Sequence, residues 1–352
     1  MTETDVRAAF AKQAAICAAS GAPFTGRVCG LIGERLDRSG QIGRRVLDWP
    51  GNPSHEGDAL PLRLAGGLHA LARAGDDPAL TAVYPPHEPP SEDARLWEIL
   101  AGSLVSNVAH FDRWLGGPPQ TNEVGRSAGL MAGLLMLADR FGLPFALYEL
   151  GASAGLNTRL DRYGFRLGET EAGDPTSPVR IAPEWRGASP PAAEVKVLRR
   201  EGVDVNPLDP TDPATRERLA AYVWAEQRER LARLEAALDI AVAMPVDVER
   251  ADAADWLERR LAIEPEPGVC RVVMHTIAFQ YFPPEAQARV RDRIEAVAVR
   301  ASQDAPVAWL SFEAEQSGFE RQPSLRLRAW PGDGDVRLAR GHPHGAWFEW
   351  MA

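Results

Sequence analysis

The chain has 352 residues, 45% hydrophobic and 25% charged, and its 49 acidic against 39 basic residues give a formal net charge of −10. This length and composition predict a soluble globular protein with a sizeable core, and a negative chain without a basic run argues against a nucleic-acid partner. The cysteines, Cys17, Cys29 and Cys270, are odd in number and unclustered, which argues against a disulfide framework or cysteine zinc site and indicates a reducing compartment.

The first part of the chain, residues 1–141, has the spacing of helices. Its start, Met-Thr-Glu-Thr-Asp, lacks the basic and apolar segments of a signal peptide, so we expect a cytoplasmic location. The longest apolar stretch, residues 128–150, is interrupted by Asp139, Arg140 and Pro144, which predicts a helix followed by a strand and no membrane span. Apolar residues recur every three or four positions in 6–20, 62–74, 92–114 and 122–141. The pattern predicts a helical N-terminal cap.

From residue 142 to residue 352, short strand-like runs alternate with helices, which is the pattern of a parallel α/β sheet. An insertion at about 163–194 separates the first two strands. The predicted strands are 145–150, 194–205, 246–250, 269–275 and 307–312, and the predicted helices are 216–238, 253–262 and 284–301. The tail predicts a C-terminal β-hairpin, 325–330 and 336–339, around a Pro-Gly-Asp-Gly turn.

The segment F-A-L-Y-E-L-G-A-S-A-G-L-N, residues 145–157, predicts a buried strand, an acidic residue at its end and a glycine turn that opens a helix. Glycines at 151 and 155 remove the Cβ atoms that would keep a ligand from the backbone, and a helix N-terminus offers unpaired N–H groups. The segment therefore predicts a nucleotide-like ligand. The alternative is an ordinary strand-to-helix turn with small residues chosen for packing.

Two later acids follow predicted strands in the same way. Asp204, in G-V-D-V-N-P, suits a carboxylate that accepts both hydroxyls of a ribose, or else belongs to a surface turn. Asp252, in A-D-A-A-D-W, suits an acceptor for an adenine amino group with the small Ala253 beside it, or else caps a helix. Because parallel strands end at one edge of a sheet, the order of these acids favours a shared adenosyl site.

Further polar residues lie at the join between cap and sheet and after the fourth strand. Gln120, Asn122, Glu123 and Arg126 either close over a ligand or form a helix cap with an i,i+3 ion pair. His275 ends an apolar strand, where it is either a general base or only hydrogen-bonded. The pair of histidines in H-P-H, residues 342–344, lacks a third ligand with suitable spacing, so we predict no metal site.

The order of these motifs, followed by R-V-V-M-H-T-I-A-F-Q-Y-F-P-P at 271–284, is similar to that of Rossmann-like S-adenosylmethionine methyltransferases. Almost the whole chain resembles the bacterial family catalogued as domain of unknown function 2332. The resemblance is carried by Q-T-N-E-V-G-R-S-A at 120–128, the 149–157 segment, G-V-D-V-N-P-L-D at 202–209 and V-W-A-E-Q at 223–227. The chain departs from common methyltransferases in the insertion and in Ser153, which replaces the middle glycine of the turn.

The resemblance implies a Rossmann-like α/β sheet of the methyltransferase type that binds S-adenosylmethionine and acts on a small molecule. The turn would pass the methionyl part of the cofactor, Asp204 would accept from its ribose, and Asp252 from its adenine. The cofactor-binding residues are then Glu149, Gly151, Ala152, Ser153, Gly155, Asn157, Asp204, Asp252 and Ala253. The substrate site would lie between cap and sheet, with His275 and Glu123 as catalytic residues and Asn122, Arg126 and Gln280 as substrate-binding residues.

Two other classes of protein remain as alternatives. The first is a non-catalytic ligand-binding or scaffold protein that keeps the fold, against which the acids at the strand ends argue. The second is a nicotinamide-dependent oxidoreductase, which Ser153 and the late position of the first acid disfavour.

Overall fold

The computed structural model describes residues 2–314, 322–332 and 334–352. They form two compact units, Met1–Thr121 with Pro213–Ala232, and Asn122–Asp212 with Arg233–Ala352. The helices are α1 Glu3–Ala19, α2 Pro23–Arg35, α3 Gln41–Leu47, α4 Leu60–Ala74, α5 Pro78–Thr81, α6 Asp93–Ser106, α7 Val108–Leu115, α8 Ser127–Phe141, α9 Pro213–Ala221, α10 Arg228–Ala243, α11 Ala253–Ala262 and α12 Pro284–Ala298.

The first unit is helical, as the apolar spacing predicts. Its helix ends follow local sequence: the Thr2 hydroxyl and the Asp5 carboxylate form a reciprocal capping box on α1, and Gly75 at φ 75° ends α4. The predicted helix 92–114 is divided at Asn107 into α6 and α7, and residues 216–238 hold parts of two helices, α9 and α10, with a break at 222–227. Helices α2 and α3 were not predicted.

The strands are β1 Phe145–Leu150, β2 Gly164–Leu167, β3 Thr170–Gly173, β4 Arg180–Ile181, β5 Glu184–Arg186, β6 Val197–Asp204, β7 Val248–Arg250, β8 Cys270–Thr276, β9 Val307–Ala314, β10 Pro323–Trp330, β11 Asp335–Gly341 and β12 Trp347–Trp350. Nine of them form one mixed sheet in the order β5-β12-β11-β10-β9-β8-β1-β6-β7. The prediction is therefore confirmed as a mixed α/β fold with a large, mostly parallel sheet. Strands β10 and β11 pair antiparallel, as predicted for the hairpin, although Asp333 of its turn lies outside the described residues.

The neighbouring strands β7, β6, β1, β8 and β9 are all parallel. From β1 the chain first builds outward through β6 to β7, and then returns to add β8 and β9 on the other side of β1. The direction of building thus reverses between β1 and β8. The turns after these two strands leave the same sheet edge next to each other, and such a reversal is where open α/β sheets bind ligands.

Two segments lie elsewhere than their sequence pattern suggested. Helix α8, grouped by its spacing with the preceding helices, packs against β9 and β10 of the sheet. It approaches closely because it carries glycine there: a Cβ on Gly133 would lie 2.4 Å from Leu310 Cδ1. The insertion supplies a small three-stranded sheet, β3-β2-β4, and adds β5 to the edge of the large sheet.

Candidate functional site

The turns that follow β1 and β8 contact each other. They lie where the order in which strands are added to the sheet reverses. A Cβ atom on Gly151 would lie 2.5 Å from Ala278 Cβ, so only glycine fits at this position. Both turns also hold a non-glycine residue with left-handed backbone, Ser153 at φ 56° and Ile277 at φ 46°. Such conformations cost about 1–3 kcal/mol each and cluster at ligand-binding and catalytic sites. The paired turns are therefore the candidate site.

Glu149, the acid near the end of β1, is buried with 2% of its surface exposed. Burial raises the pKa of its carboxyl to about 8, although Asn157 hydrogen-bonds to it and Arg159 acts on it through space in the opposite direction. Its Oε2 atom has no hydrogen-bond partner among the described residues, and neither do Ser153 Oγ or Asn157 Oδ1. Three buried acceptors without partners thus lie within nine residues of chain. Most buried polar atoms in proteins are paired, so three unpaired atoms this close together in the chain call for a ligand or ordered water.

Asp204, at the end of β6, connects the first two strand ends. Its Oδ2 accepts the Ser153 N–H at 2.9 Å, and its Oδ1 accepts the Asn206 N–H at 2.8 Å. The carboxylate therefore holds the strained residue of the glycine turn and its own Asx turn at once. Each oxygen keeps further acceptor capacity, because a carboxylate accepts about four hydrogen bonds.

Asp252 fulfils the helix-capping alternative. Its Oδ1 accepts the N–H groups of Ala254 and Asp255 at 2.9 and 3.1 Å, which satisfies two donors of the first turn of α11. Ala253, beside it, is buried in the core between sheet and helices. The proposed adenine contact of Asp252 is not tested by this geometry and stays a prediction.

Asn122 is brought to the glycine turn from outside the sheet. Its Oδ1 accepts the N–H groups of Ala154 and Leu156 at 3.1 and 3.0 Å. It thus uses two of the donors that the turn would offer to an anionic ligand. The sequence signal was only its polarity after a Gly-Gly-Pro-Pro loop, which could not specify this partner.

Glu123 and Arg126 are buried beside the same turns. Glu123 Oε1 accepts the Gly125 N–H at 2.9 Å and lies 3.9 Å from Arg233 Nη2, and its i,i+3 pair with Arg126 stays a prediction. Arg126 Nη1 donates to the carbonyl of Thr276, the last residue of β8, at 3.3 Å, and its Nε donates to the Pro343 carbonyl at 2.7 Å. Glu123 and Arg126 therefore belong to the unit that contains the sheet.

His275 is fully engaged by side chains that the sequence did not single out. Its Nε2 accepts the Trp309 Nε1–H at 2.9 Å, so its Nδ1 carries the proton and donates to Glu313 Oε1 at 2.7 Å. Glu313 also accepts the N–H groups of Ala278 and Phe279. The histidine and Glu313 hold the strained turn after β8, which suits a positioning role, while the catalytic role of His275 stays a prediction.

Gln280 lies at the same turn. Its backbone N–H donates to Glu313 Oε2 at 3.4 Å, and its side-chain Oε1 accepts the Ala314 N–H at 3.3 Å. The only sequence signal for Glu313 was an acid just beyond the predicted strand 307–312, without indication of its partner.

We also searched the described part of the chain for metal sites, disulfides and membrane-spanning helices. Among residues 2–314, 322–332 and 334–352, no group of three or more His, Cys, Asp and Glu side chains is placed to hold a metal. The three cysteines are buried and free. None of the described helices has the length and apolar character that crossing a bilayer requires.

The comparisons with known proteins bear on the family alone. A family model described as "Uncharacterized protein conserved in bacteria (DUF2332)" matches residues 7–350, which confirms the predicted resemblance to that family. No curated protein and no solved structure matches the chain. Since the family description names no reaction, the function has to be argued from the residues at the sheet edge.

Proposed function

We propose that this chain, which belongs to the bacterial family catalogued as domain of unknown function 2332, is an S-adenosylmethionine-dependent methyltransferase acting on a small molecule. The observation that carries the proposal is a group of buried polar atoms without hydrogen-bond partners at the turn after β1, where the order of strand addition reverses. These atoms are Glu149 Oε2, Ser153 Oγ and Asn157 Oδ1. Three atoms that can each accept a hydrogen bond, gathered at such a turn, suit a ligand that brings donors and positive charge.

The order of the parallel strands supports a Rossmann-like assignment. Numbered along the chain, the five parallel strands run 3-2-1-4-5, which is the order that begins the doubly wound dinucleotide-binding sheet. In chain order, the first two of these strands, β1 and β6, have the acids Glu149 and Asp204 at their ends. Asp252 follows the third strand, β7. An adenosyl compound with an amino-acid tail has a ribose, an amine and an adenine for these acceptors.

The residues present fit such a cofactor. Glu149 and Asn157 would accept from its ammonium group, because their free oxygens are the unpartnered ones. Asp204 would accept from ribose hydroxyls with the acceptor capacity that its two backbone donors leave. An ammonium group beside Glu149 would favour its ionised form, so binding would release a proton below the raised pKa of about 8.

S-adenosylmethionine, when bound, supplies a methyl group on a sulfonium. The work left to the protein is to align an acceptor with that methyl group and to exclude water, which is catalysis by proximity and orientation. His275 and Glu313 contribute by fixing the turn after β8, and Arg126 ties its start to the neighbouring loop through Thr276 and Pro343.

The test is binding followed by turnover. We expect S-adenosylmethionine and S-adenosylhomocysteine to raise the melting temperature, since a ligand that binds only the folded state stabilises by about 2.7 kcal/mol at a hundredfold excess over its dissociation constant. ATP and NAD serve as control nucleotides and should give no shift. Absence of heat and thermal shift with either adenosyl compound would refute the proposal.

A non-catalytic ligand-binding role is the second candidate. It is favoured by the closed state of the turn, in which Ala152 and Ala154 are 0% and 1% exposed and Asn122 already occupies two backbone donors. Transfer of a labelled methyl group to components of a cell extract separates the two: binding without any transfer favours this role.

A further inference from the structure

Arg159, in the one-turn helices at Asn157–Arg162, is a buried cation without a carboxylate partner. Only 1% of its surface is exposed. Its Nε donates to the Met244 carbonyl at 2.8 Å, and its Nη1 donates to the carbonyls of Ala154 and Gly155 at 3.3 and 2.6 Å. Within the described residues no carboxylate lies at ion-pair distance, and Nη2 makes no hydrogen bond.

Such an arrangement is costly, because a buried charge is normally paired with its opposite. Besides the Tyr163 phenol, the carboxyl that acts on Arg159 through space is that of Glu149, whose pKa is raised by burial to about 8. At neutral pH Glu149 is therefore mostly protonated and offers little compensation. An external anion would supply the missing charge.

Arg159 is one of the residues that line a cavity of about 340 Å³. This volume falls in the range of small-molecule sites, roughly 300–1,000 Å³. The walls are largely apolar and come from the glycine turn, the loop after β6 and the start of β7, including Ala154, Leu208 and Val248. Two acids, Asp209 and Asp247, also line the cavity. Asp209 Oδ1 is engaged by Thr211, whereas the Asp247 side chain is exposed.

We propose that this cavity binds a small zwitterion of the amino-acid class, with its carboxylate on Arg159, its ammonium toward Asp247 and Asp209, and an apolar side chain against the walls. One cation and two acids favour a zwitterion over a purely anionic ligand, because the acids repel an anion that brings no positive charge. Guanidinium groups recognise carboxylates through charge-assisted hydrogen bonds, and the free Nη2 is the donor for this contact. The site does not depend on the proposed methyl transfer.

Three isosteric probes test the charge pattern: L-leucine carries both groups, 4-methylpentanoate lacks the amine, and 3-methylbutylamine lacks the carboxylate. Each is added to the full chain, without a methyl donor, in a thermal-shift assay and by calorimetry at one pH and ionic strength. We expect leucine to raise the melting temperature most, 4-methylpentanoate less, and the amine not at all. No response to leucine and 4-methylpentanoate, or an equal response to all three, overturns the proposal.

Matched variants assign the effect to residues. Arg159→Gln should weaken leucine binding on the order of tenfold or more, the effect of losing a charge-assisted contact. Arg162→Gln is the control, because this cation lies on the same segment, is half exposed beside Asp161 and lines a different groove. Equal binding by Arg159→Gln and wild type overturns the proposal.

Arg159 also donates hydrogen bonds to three backbone carbonyls, so Arg159→Gln removes contacts of the fold as well as the proposed ligand contact. A second variant, at Asp247, therefore tests the site separately. Asp247→Asn changes an exposed side chain, so we expect the variant to keep the fold. We expect it to remove the advantage of leucine over 4-methylpentanoate while preserving the response to the carboxylate. A preserved advantage refutes the ammonium site, whether or not Arg159→Gln folds. Since no methyl donor is present, failure of S-adenosylmethionine to bind leaves this result unaffected.

Discussion

At the scale of single residues, the candidate site is defined by buried polar groups that lack or share partners. Glu149 lies at the end of a strand whose six residues are all buried, so its carboxyl is removed from water by the core itself. The sequence identified this acid by its position. Its raised pKa follows from the tertiary environment, because burial depends on the helices and strands packed around β1.

The first prediction concerns this carboxyl. Its pKa in the folded protein, about 8, lies above the ordinary 4.5, so the folded state holds the proton more tightly than the unfolded state. The stability from this group is fully present below pH 4.5 and is lost as pH rises through 8. Glu149→Gln should remove this loss, which amounts to at most about 1.4 kcal/mol per pH unit. Urea denaturation across this range measures it.

The control is Glu171→Gln, which neutralises an exposed acid on β3. It should retain the slope of stability against pH seen in the wild type. If Glu149→Gln keeps the same slope as this control, the raised pKa of Glu149 is wrong.

The second prediction concerns Asn122. Asn122→Ala leaves the N–H groups of Ala154 and Leu156 without their acceptor, and we expect a loss of about 1–3 kcal/mol in the free energy of unfolding. Faster hydrogen exchange at these two amides should accompany it. Asn122→Asp keeps an acceptor oxygen and should protect both amides; unprotected amides in this variant would contradict the assigned role.

At the scale of elements, the turns after β1 and β8 determine the site, and their conformations follow from where the strands place them. Parallel pairing of β1 with β8 aligns their ends, so the two turns leave the sheet side by side. Their contact is close enough that Gly151 is required by space as well as by its φ of 70°. The sequence indicates a glycine turn here, whereas its contact with Ala278 depends on strand order.

The third prediction separates the two reasons for glycine at position 151, the lack of space for a Cβ atom and the positive φ. Gly151→Ala adds a Cβ at 2.5 Å from Ala278 Cβ, whereas Gly142→Ala, at φ 63°, adds one in open space at the end of α8. The control should cost about 1–2 kcal/mol, the cost of left-handed backbone for a residue with a Cβ. We expect a larger loss for Gly151→Ala, measured as the free energy of unfolding in urea. Equal losses would show that the turns do not pack as described.

At the scale of the whole molecule, one buried group in each unit makes stability depend on pH, and the two act in opposite directions. His69, in the helical unit, has its pKa lowered to about 4 by burial, even though its Nδ1 donates to the Ala221 carbonyl at 3.1 Å. Its ordinary value is 6.5, so the unfolded state takes up a proton first as pH falls. The stability from His69 is therefore present above 6.5 and is lost as pH falls toward 4, opposite to Glu149.

The fourth prediction uses this opposition. His69→Gln should reduce the loss of stability as pH falls from 6.5 toward 4, Glu149→Gln should reduce the loss as pH rises from 4.5 through 8, and the double variant should reduce both. Because the two residues belong to different units and share no described partner, their effects should add within about 0.5 kcal/mol. Denaturation curves of the four proteins at several pH values measure this additivity. A large coupling energy would mean that the two groups do not titrate independently.

The sequence by itself determined the features that arise from neighbouring residues. Apolar periodicity predicted most of the helices and the parallel strands, because the faces of a helix or strand must match the core locally. It also marked Glu149, Gly151 and Asp204 as strand-end residues, since acids and glycines there stand out from apolar runs. The short strands of the insertion and the helices α2 and α3 were missed.

Only the tertiary structure decided which of these residues meet. Asn122 reaches the turn at 154–156 and Glu313 reaches His275 across 32 to 38 residues of sequence, through contacts that no local pattern specifies. The cavity beside Arg159 likewise combines residues from 154 to 248. Burial, partners and the pKa of Glu149 are properties of the packed sheet, because they depend on strand order and on what each side chain finds next to it.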